Sequence, residues 1–510
     1  MKSMDPDHLV ALVVEVIPQL SCLMFCPTKK NCENVATMIC KSLNKTFLTH
    51  KEPEKRALLK ELRSDANGQL CPVLNLTIPF GVAYHHSGLT GDERRLIEEA
   101  YSAGVLSLLA CTSTLAAGVN LPARRVILRS PYVGMDFLSR TQYKQMVGRA
   151  GRAGIDSAGE SIVICMNKDK TKVLDLVSGS FEKCQSSLLY DDGKGLRSLL
   201  LSLIGLKVAT TPRQLHAFLE GTLFGVQQRR AKETDTWEMT RDQLNQLAEL
   251  GLMRATCVDH AVPAEDRPLE ITRLGQATWK ASIDLSFTNV LYRDLQKGLQ
   301  GLALDNYLHL IYLITPYDMI SRCNPDWMLY MRLFNKMNEA EHRVATAVGV
   351  PEGLITMKAI GKSCKQHLDE TVATRFYLAL FLYSLFHQDS VWTVAEKFRE
   401  SRGFIQNLVS SAAAFGVCVN HFCQELEEFW AYNALFADLT QKLSYCTKAE
   451  LIPLMEVAGI KEARAKQLHS AGYKTLALLA KANICDLVRT LEYLSQKQGT
   501  ADCCFSEDAA

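Results

Sequence analysis

Two arginines in a glycine-rich segment are the residues of this sequence best suited to bind a polyphosphate. Residues 145–154 read QMVGRAGRAG, which places Arg149 and Arg152 three positions apart. Glycine lets the backbone approach a ligand closely, and the planar guanidinium group matches two phosphate oxygens at once. An arginine in such a frame can stabilise the charge that develops when a γ-phosphoryl group leaves a nucleotide.

The sequence lacks the elements that usually hold the rest of such a nucleotide. No segment reads GxxxxGK followed by Ser or Thr, and no Asp-Glu pair follows an apolar strand. Those elements bind the β- and γ-phosphates and the magnesium ion. We therefore predict half of an ATP site, and expect this chain alone neither to bind ATP tightly nor to hydrolyse it. The alternative, in which both arginines form ion pairs within their own fold, stays open.

Three more segments precede the arginines in a fixed order. They are residues 22–30 (CLMFCPTKK), 81–89 (GVAYHHSGL) and 111–123 (CTSTLAAGVNLPA). Together with residues 145–154 they resemble the fourth to sixth motifs of superfamily 2 DNA helicases, in the branch of the POLQ-like helicases and their archaeal repair relatives. The resemblance runs to about Gln496, and the first motor domain of that family, with its phosphate loop and acidic box, has no counterpart here.

The resemblance implies roles for particular residues in a complete motor that uses ATP and Mg²⁺, whose magnesium ligands are absent from this sequence. Arg149 and Arg152 would reach the γ-phosphate, and Gln145 would couple them to the partner domain. Further nucleotide contacts fall on Gly118, Asn120 and Gly148. Contacts with the DNA backbone fall on Thr28, His86, Gly88, Thr112 and Thr114. Hydroxyl groups and backbone amides suit phosphate contacts, which hold a strand without reading its sequence. For His86, a polar pocket at the end of a strand is the alternative.

A turn between apolar flanks lies before the arginine segment. Residues 130–140 read SPYVGMDFLSR, with Gly134 at the centre. In the helicases that this sequence resembles, a β-hairpin here separates the two strands at a fork. Val133, Met135 and Phe137 would then form an apolar tip that replaces a stacked base. A hairpin buried in its own domain is the alternative interpretation.

The pattern of apolar runs predicts an α/β domain over residues 1–180, which the resemblance identifies as the second RecA-like domain of a helicase motor. We expect parallel strands near residues 23–26, 106–111, 126–129 and 161–166. Thr28 should cap one helix, and the capping box at Thr90 and Glu93 should begin another, over residues 91–103. The motifs then follow the carboxyl ends of strands, where open α/β sheets bind ligands.

Residues 190–282 predict a winged helix. Thr211-Pro-Arg-Gln and Thr240-Arg-Asp-Gln each match a capping box, and residues 253–258 and 269–272 would form the wing. The family has a winged helix at this point. Either it binds DNA, or it serves as a structural hinge against the motor.

Residues 283–445 predict an all-helical domain that resembles the ratchet domain of the archaeal relatives. Residues 403–424 contain no Asp, Glu, Lys or Arg, and the apolar positions share one helical face (Ile405, Leu408, Val409, Ala412, Gly416, Val419 and Cys423). Such a helix is either buried in a core or lines a channel for unstacked bases. The resemblance places DNA contacts here, for which Gln406 and Phe415 are the candidates, because Asn407 and Ala414 replace the usual Arg and Trp.

Residues 446–496 predict a helix-hairpin-helix module, with Lys461 near a DNA phosphate, and residues 497–510 predict a disordered tail.

Over the whole chain the composition is that of a soluble globular protein, with 47% hydrophobic residues, 22% charged residues and a net charge of +2. The seventeen cysteines show no paired Cys-x-x-Cys spacing, so we expect reduced thiols and no metal site. Neither a signal peptide nor a membrane span is visible.

These features together predict the C-terminal part of an ATP-dependent 3′–5′ DNA helicase that acts in repair at stalled forks and interstrand crosslinks. The family implies single-stranded and forked DNA as partners, together with a single-strand-binding protein and recombinase paralogues, and a nuclear location. One alternative is a non-catalytic single-stranded-DNA-binding or regulatory module. A fragment of an RNA helicase is another, although that class carries a long insertion after its winged helix.

Overall fold

The computed structural model describes most of the chain and divides it into two compact units. Described are residue 5 and residues 8–65, 69–151, 158–231, 235–256, 262–362, 370–387, 390–445, 452–457, 459–460, 464–465, 468–469 and 471–496. The first unit comprises residues 1–184 and 391–406, and the second comprises residues 185–390 and 407–510.

A five-stranded parallel sheet forms the centre of the first unit. Its strands are β1 (Cys22–Phe25), β2 (Val82–His85), β3 (Leu108–Cys111), β4 (Arg125–Leu128) and β7 (Glu160–Val163), in the order β2-β3-β1-β4-β7. The first three of these strands are buried along their whole length, as expected for a parallel sheet covered on both faces. The predicted parallel α/β sheet is confirmed, with strand ends that differ by at most three residues from the expected positions.

Helices surround this sheet, and their first turns follow the predicted capping residues. The Thr28 hydroxyl accepts a hydrogen bond from the amide of Asn31 (3.2 Å), and Thr90 and Glu93 form a reciprocal capping box. The helices of the first unit are Leu9–Val14, Lys29–Ser42, Thr46–Thr49, Glu52–Asp65, Pro72–Thr77, Gly91–Ser102, Arg140–Val147, Lys170–Ser178 and Val391–Phe398.

The predicted turn at Gly134 is a short antiparallel β-hairpin. Strands β5 (Tyr132–Val133) and β6 (Asp136–Phe137) pair across it, and Gly134 has φ +61°, a conformation that glycine adopts without strain. A capping box that the sequence analysis did not identify follows directly, because Ser139 and Gln142 begin the helix Arg140–Val147. The hairpin therefore leads into the helix that ends at the arginine segment.

Residues 391–406 pack on the α/β unit, although the sequence analysis placed them in the helical domain. Arg402 forms an ion pair with Glu93 (2.7 Å), and its guanidinium carbon lies 4.0 Å from the centre of the Trp392 ring. The amide of Gly91 donates to Gln406 Oε1 (2.7 Å). The contacts with Glu93 and Gly91 join residues about three hundred positions apart, so a local pattern could not reveal them.

Near the start of the second unit, helices and a two-stranded wing share one core. Helices Tyr190–Gly205, Pro212–Glu220 and Thr236–Glu249 share one apolar core with the strands β8 (Met253–Ala255) and β9 (Leu269–Ile271). Thr211 caps its helix as predicted. The predicted capping box at Thr240 is wrong, because Asp235 begins that helix and the Thr240 hydroxyl donates to the carbonyl of Thr236 inside it.

The remainder of the second unit is helical. One long helix, Arg402–Gln424, contributes its first five residues to the first unit and the rest to the second. The other helices are Leu223–Ala231, Arg273–Lys280, Thr288–Gln300, Leu308–Leu313, Trp327–Phe334, Glu339–Val348, Glu352–Ala359, Glu370–Phe386, Trp430–Tyr445, Ile452–Met455, Leu476–Ala480 and Ile484–Gln496. No described helix combines the length and the apolar character that a membrane crossing requires.

The C-terminal residues form a small cluster in which Leu454, Ala465 and Leu468 are buried. Lys461, the predicted phosphate contact, lies outside the described residues, as does the tail from residue 497. The described part gives short helices at the expected place, but it does not confirm a helix-hairpin-helix module.

Gly403 should tolerate no side chain, because a Cβ there would lie 2.1 Å from the Ser87 carbonyl oxygen and 2.5 Å from that of Leu89. We expect Gly403→Ala to destabilise the first unit by roughly 1–3 kcal/mol, measured as a lower midpoint of thermal unfolding. Gly353→Ala is the control, since nothing lies within 4 Å of its added Cβ. Equal midpoints for the two variants would contradict the packing of residues 401–406 against this loop.

Candidate nucleotide and nucleic-acid site

The predicted site residues follow four strands of one parallel sheet. The carboxyl ends of parallel strands lie at the same edge, so the loops after β1, β2, β3 and β4 share that edge. The amide of Cys26, at the end of β1, donates to the Cys111 carbonyl, and the amide of Thr112 donates to the carbonyl of His85. The sheet therefore brings Thr28, His86 and Thr112, three of the predicted DNA contacts, to neighbouring loops.

Backbone hydrogen bonds fix the position of the arginine loop. The amide of Ala123 donates to the Arg149 carbonyl (2.9 Å), and the amide of Gly151 donates to the carbonyl of Ala123 (2.7 Å). These bonds form a parallel bridge between Ala123 and Ala150. The loop is thus tied to the segment that holds Gly118 and Asn120, as a shared nucleotide site requires. Arg152 lies outside the described residues.

The guanidinium group of Arg149 is half-buried and oriented by a neutral partner. Its Nε and Nη2 donate to the carbonyl oxygen of Ala116, at 3.2 and 2.7 Å. Among the described residues Arg149 forms no ion pair, in contrast to its neighbour Arg125, which pairs with Glu15 and Glu160 at 2.7 Å each. The alternative in which Arg149 serves an ion pair of its own fold is therefore not supported by the described residues.

The remaining predicted nucleotide contacts are exposed. Gln145, Gly148, Gly118 and Asn120 all reach solvent. Gly118 has φ +85°, and nothing lies within 4 Å of the place where its Cβ would be. An open glycine with its backbone at the surface is suited to a close approach by a phosphate group. The residues present therefore fit the phosphate end of a nucleotide.

Three hydroxyl groups are available to a phosphate backbone. Thr28 and Thr114 are exposed, and Thr112 is half-buried with its hydroxyl 2.9 Å from that of Thr114. Each lies at the start of a helical turn after a strand, where backbone amides also point outward. These residues are thus of the type predicted for contacts with a phosphate backbone, and the contacts themselves stay a prediction.

His86 and Gly88 are buried, and the geometry of His86 matches the polar-pocket alternative. The His86 ring is 3% exposed, accepts a hydrogen bond from the Gly88 amide at Nδ1 (3.0 Å) and stacks on Tyr84. The adjacent His85 contacts Glu98 at 2.7 Å, and burial lowers its pKa. In this conformation His86 is buried within its own loop, and its predicted contact with DNA stays a prediction.

Only part of the predicted hairpin tip is exposed among the described residues. Met135 is 93% exposed, whereas Val133 and Phe137 pack against the core of their own domain. Lys172 lies 5.8 Å from the centre of the Phe137 ring. The Tyr132 hydroxyl donates to Asp169 Oδ1 (2.9 Å), and the amide of Gly134 donates to the carbonyl of Pro27. These hydrogen bonds hold the base of the hairpin, and the side chain of Met135 extends from it into solvent.

The long helix buries the apolar face that the sequence predicted and exposes a narrow stripe. Asn407, Ser410, Ala414 and Val417 are exposed, at helical spacing. The two predicted DNA contacts lie beside this stripe and are half-buried. Gln406 accepts the hydrogen bond from Gly91, and Phe415 meets the ring of Tyr317 edge-on, at 5.8 Å between ring centres. Their contact with DNA stays a prediction.

Glu33 is a charged residue of the site that sequence analysis missed. It lies 2.8 Å from Lys30 and 3.5 Å from Nε2 of His86. The His86 ring and Lys30 hold the pKa of Glu33 at about 2, well below the usual range. Its position five residues after Thr28, on the inward side of a capped helix, was the available signal. The described residues contain no cluster suited to a metal ion.

Comparison with known families places three domains along the chain. The helicase conserved C-terminal domain matches residues 46–154, a helix-turn-helix domain matches residues 159–254, and the helical domain of the DNA pol Q helicase-like region matches residues 288–443. The parallel sheet is therefore the RecA-like C-terminal domain of a helicase. It is followed by a winged-helix type domain and a helical domain, as predicted.

Similar proteins extend the match to nearly the whole chain. Helicase POLQ-like of Homo sapiens is 58% identical over 98% of this chain and 45% of its own length. DNA polymerase theta of Mus musculus is 34% identical over 95% of this chain and 20% of its own. ATP-dependent DNA helicase Hel308 of Methanocella arvoryzae is 26% identical over 94% of this chain and 62% of its own. The chain spans about half the length of the helicase POLQ-like proteins it matches.

We expect Glu33→Gln to reduce stability in a pH-dependent manner. A carboxyl whose pKa is lowered by folding stabilises the fold above its unfolded pKa of about 4.3, and this contribution disappears as the pH falls toward about 2. The difference in thermal midpoint between wild type and Glu33→Gln should therefore narrow between pH 7 and pH 3. The control is Glu99→Gln, which removes an exposed pair with Arg95. If the difference in thermal midpoint between wild type and Glu33→Gln stays constant with pH, the stabilisation by an ionised Glu33 is contradicted.

Proposed function

Because this chain belongs to the family of POLQ-like helicases, to which it is homologous along nearly its whole length, we propose that it forms the arginine-bearing half of an ATP-dependent DNA helicase. The complete motor would move 3′ to 5′ along single strands and act in repair at stalled forks and interstrand crosslinks. The observation that carries this proposal is the bridge between Ala123 and the arginine loop, which joins the loop to the segment of Gly118 and Asn120.

On the nucleotide side, ATP and Mg²⁺ would supply the triphosphate and the counter-charge, held mainly by a phosphate-loop domain. This chain would contribute the guanidinium groups of Arg149 and Arg152, with Gln145 at the contact with that domain. Gly118, Asn120 and Gly148 would line the nucleotide. A guanidinium oriented before the reaction begins stabilises the developing charge without reorganising. The orientation of Arg149 by the Ala116 carbonyl supports this role.

On the DNA side, each unit would contribute contacts of its own. In the first unit, Thr28, Thr112 and Thr114 would meet a strand backbone. In the second unit, the exposed stripe of the long helix, with Phe415 beside it, would meet bases. Uncharged side chains of this kind accept any base, because stacking and van der Waals contacts carry little sequence information. We further propose a nuclear location and, as partners, a single-strand-binding protein and recombinase paralogues. These last assignments follow from the family resemblance.

A second candidate function is a non-catalytic module that binds single-stranded DNA or regulates the enzyme. The sequence favours this candidate for the chain by itself, because it contains no phosphate loop. Measurement of ATP turnover and of single-strand binding on this chain separates the two. Under both candidate functions the chain should bind single-stranded DNA. ATP turnover close to that of a complete motor would overturn the proposal that this chain carries only the arginine-bearing half of the ATP site.

In a motor that joins this chain to the phosphate-loop domain of a relative, Arg152→Ala should lower ATP turnover by roughly 10³-fold or more. The affinity of the variant for single-stranded DNA should stay within about threefold of that of the unmodified motor, because the proposed phosphate contacts with the strand lie on other loops. Lys144→Ala is the matched control, since it removes an exposed cation from the preceding helix. Normal ATP turnover in the Arg152 variant would contradict the proposed contact between Arg152 and the γ-phosphate.

In the same motor, Met135→Ala should slow strand separation more than single-strand-stimulated ATP hydrolysis. The side chain is almost fully exposed and carries no contact that the fold needs, so its loss should reduce the unstacking of base pairs without disturbing the hairpin. The control is Met166→Ala, which removes an exposed methionine elsewhere in the same unit. Equal losses of unwinding and hydrolysis would argue against a separating role for Met135.

A further inference from the structure

A fully buried arginine lies in the helical domain of the second unit. Arg375 on the helix Glu370–Phe386 is 1% exposed. Its Nη1 donates to Asp294 Oδ2 (2.6 Å), its Nε to the carbonyl of Thr315 (2.9 Å) and its Nη2 to the carbonyl of Leu313 (3.1 Å). One carboxylate thus balances the charge, and two backbone carbonyls accept hydrogen bonds from two further N–H groups of the guanidinium fork.

Two tyrosine rings complete what we call the Arg375 cluster (Arg375, Asp294, Tyr312 and Tyr317). The guanidinium carbon lies 4.5 Å from the centre of the Tyr312 ring and 3.9 Å from that of Tyr317. The Tyr317 hydroxyl also donates to Asp294 Oδ2, at 2.6 Å. Hydrogen bonds and cation–π contacts therefore fix the segment of residues 313–319 at three points along its length.

This segment contacts the long helix on the side next to its exposed stripe. Tyr317 meets Phe415 with ring planes at 88°, and the Met319 sulfur accepts a hydrogen bond from Asn407 (3.7 Å). Ile314 lies 3.5 Å from where a Cβ on Gly416 would be. Asn407 is the first residue of the stripe, and Phe415 lies beside the stripe about two turns later. The segment that Arg375 holds thus contacts these two turns of the long helix at both ends.

Packing alone does not account for a charge at this position. Burying a guanidinium and a carboxylate has a desolvation penalty of several kcal/mol per ion, and apolar residues of similar volume often stabilise a core equally well. Directional bonds from one planar group to two carbonyls and a carboxylate have a different consequence, because they allow one arrangement of the segment. The cluster therefore selects a geometry more than it adds stability.

We propose that Arg375 is a positioning residue, which acts through residues 313–319 to hold Phe415 and Asn407 in the orientation that receives the bases of a single strand. This inference rests on the proposed contact between the long helix and DNA. It predicts that Tyr317, which is buried, affects strand affinity only through Phe415.

A double-mutant cycle on this chain tests the proposal, with fluorescence anisotropy of a labelled oligothymidylate as the measurement. Phe415→Ala should weaken binding about tenfold, in line with the loss of one stacked base. Tyr317→Leu should weaken it about three- to tenfold, and the double variant should bind about as weakly as Phe415→Ala alone, because coupled residues are not additive. The dependence of affinity on salt should stay unchanged, since no phosphate contact is lost.

Two further variants separate positioning from general destabilisation. Tyr317→Phe keeps the ring and loses the hydroxyl bond to Asp294, so it should fold normally and weaken binding by about twofold, again only when Phe415 is present. Tyr292→Leu is the matched control: Tyr292 also bonds a carboxylate, Glu428, and meets an aromatic ring edge, Phe429. It should leave strand affinity unchanged.

The outcomes distinguish the proposals. If Phe415→Ala binds like wild type, the proposed DNA contact of the long helix fails, and the positioning role fails with it. If Phe415→Ala is impaired while the Tyr317 variants are neutral or purely additive, the DNA contact stands and the positioning role alone is overturned.

Discussion

The backbone bridge between Ala123 and the arginine loop is the constraint on which the proposed motor site depends. Its two hydrogen bonds lie on either side of Ala150, so the loop cannot slide relative to the segment that leads into β4. That segment also contains Gly118 and Asn120. In the proposed motor, a motion of the arginine loop would therefore be transmitted to the segment of Gly118 and Asn120.

Features with a local cause could be predicted from the sequence. A capping hydroxyl bonds to an amide three residues away, so Thr28 and Thr90 were recognised from spacing alone, and buried parallel strands followed from continuous apolar runs. The same reasoning failed at Thr240. Its Thr-x-x-Gln spacing fits a helix start, but Asp235 caps the helix one turn earlier, and a threonine inside a helix can bond the preceding turn instead.

Features with a distant cause could not be predicted. The contacts of Arg402 and Gln406 join parts of the chain about three hundred residues apart, and the exposure of His86 depends on Tyr84 and on the distant Glu33. Arg375 gave no signal, because an arginine among apolar helix residues is usually expected at the surface. The sequence identified the types of residue at the site, and tertiary packing decided which of them reach solvent.

Three arginines of this protein differ in the partners that the described residues give them. Arg375 and Arg402 each contact a carboxylate, Asp294 or Glu93, which neutralises the charge where water is excluded. Arg149 is oriented by a neutral carbonyl, which fixes the direction of the guanidinium and leaves its charge uncompensated by the described residues. A group arranged in this way attracts a phosphate more strongly than one already paired, since no ion pair must be broken first. Among the described residues, carboxylates thus accompany Arg375 and Arg402, whereas Arg149 has only a neutral partner, as the proposed contact with a phosphate requires.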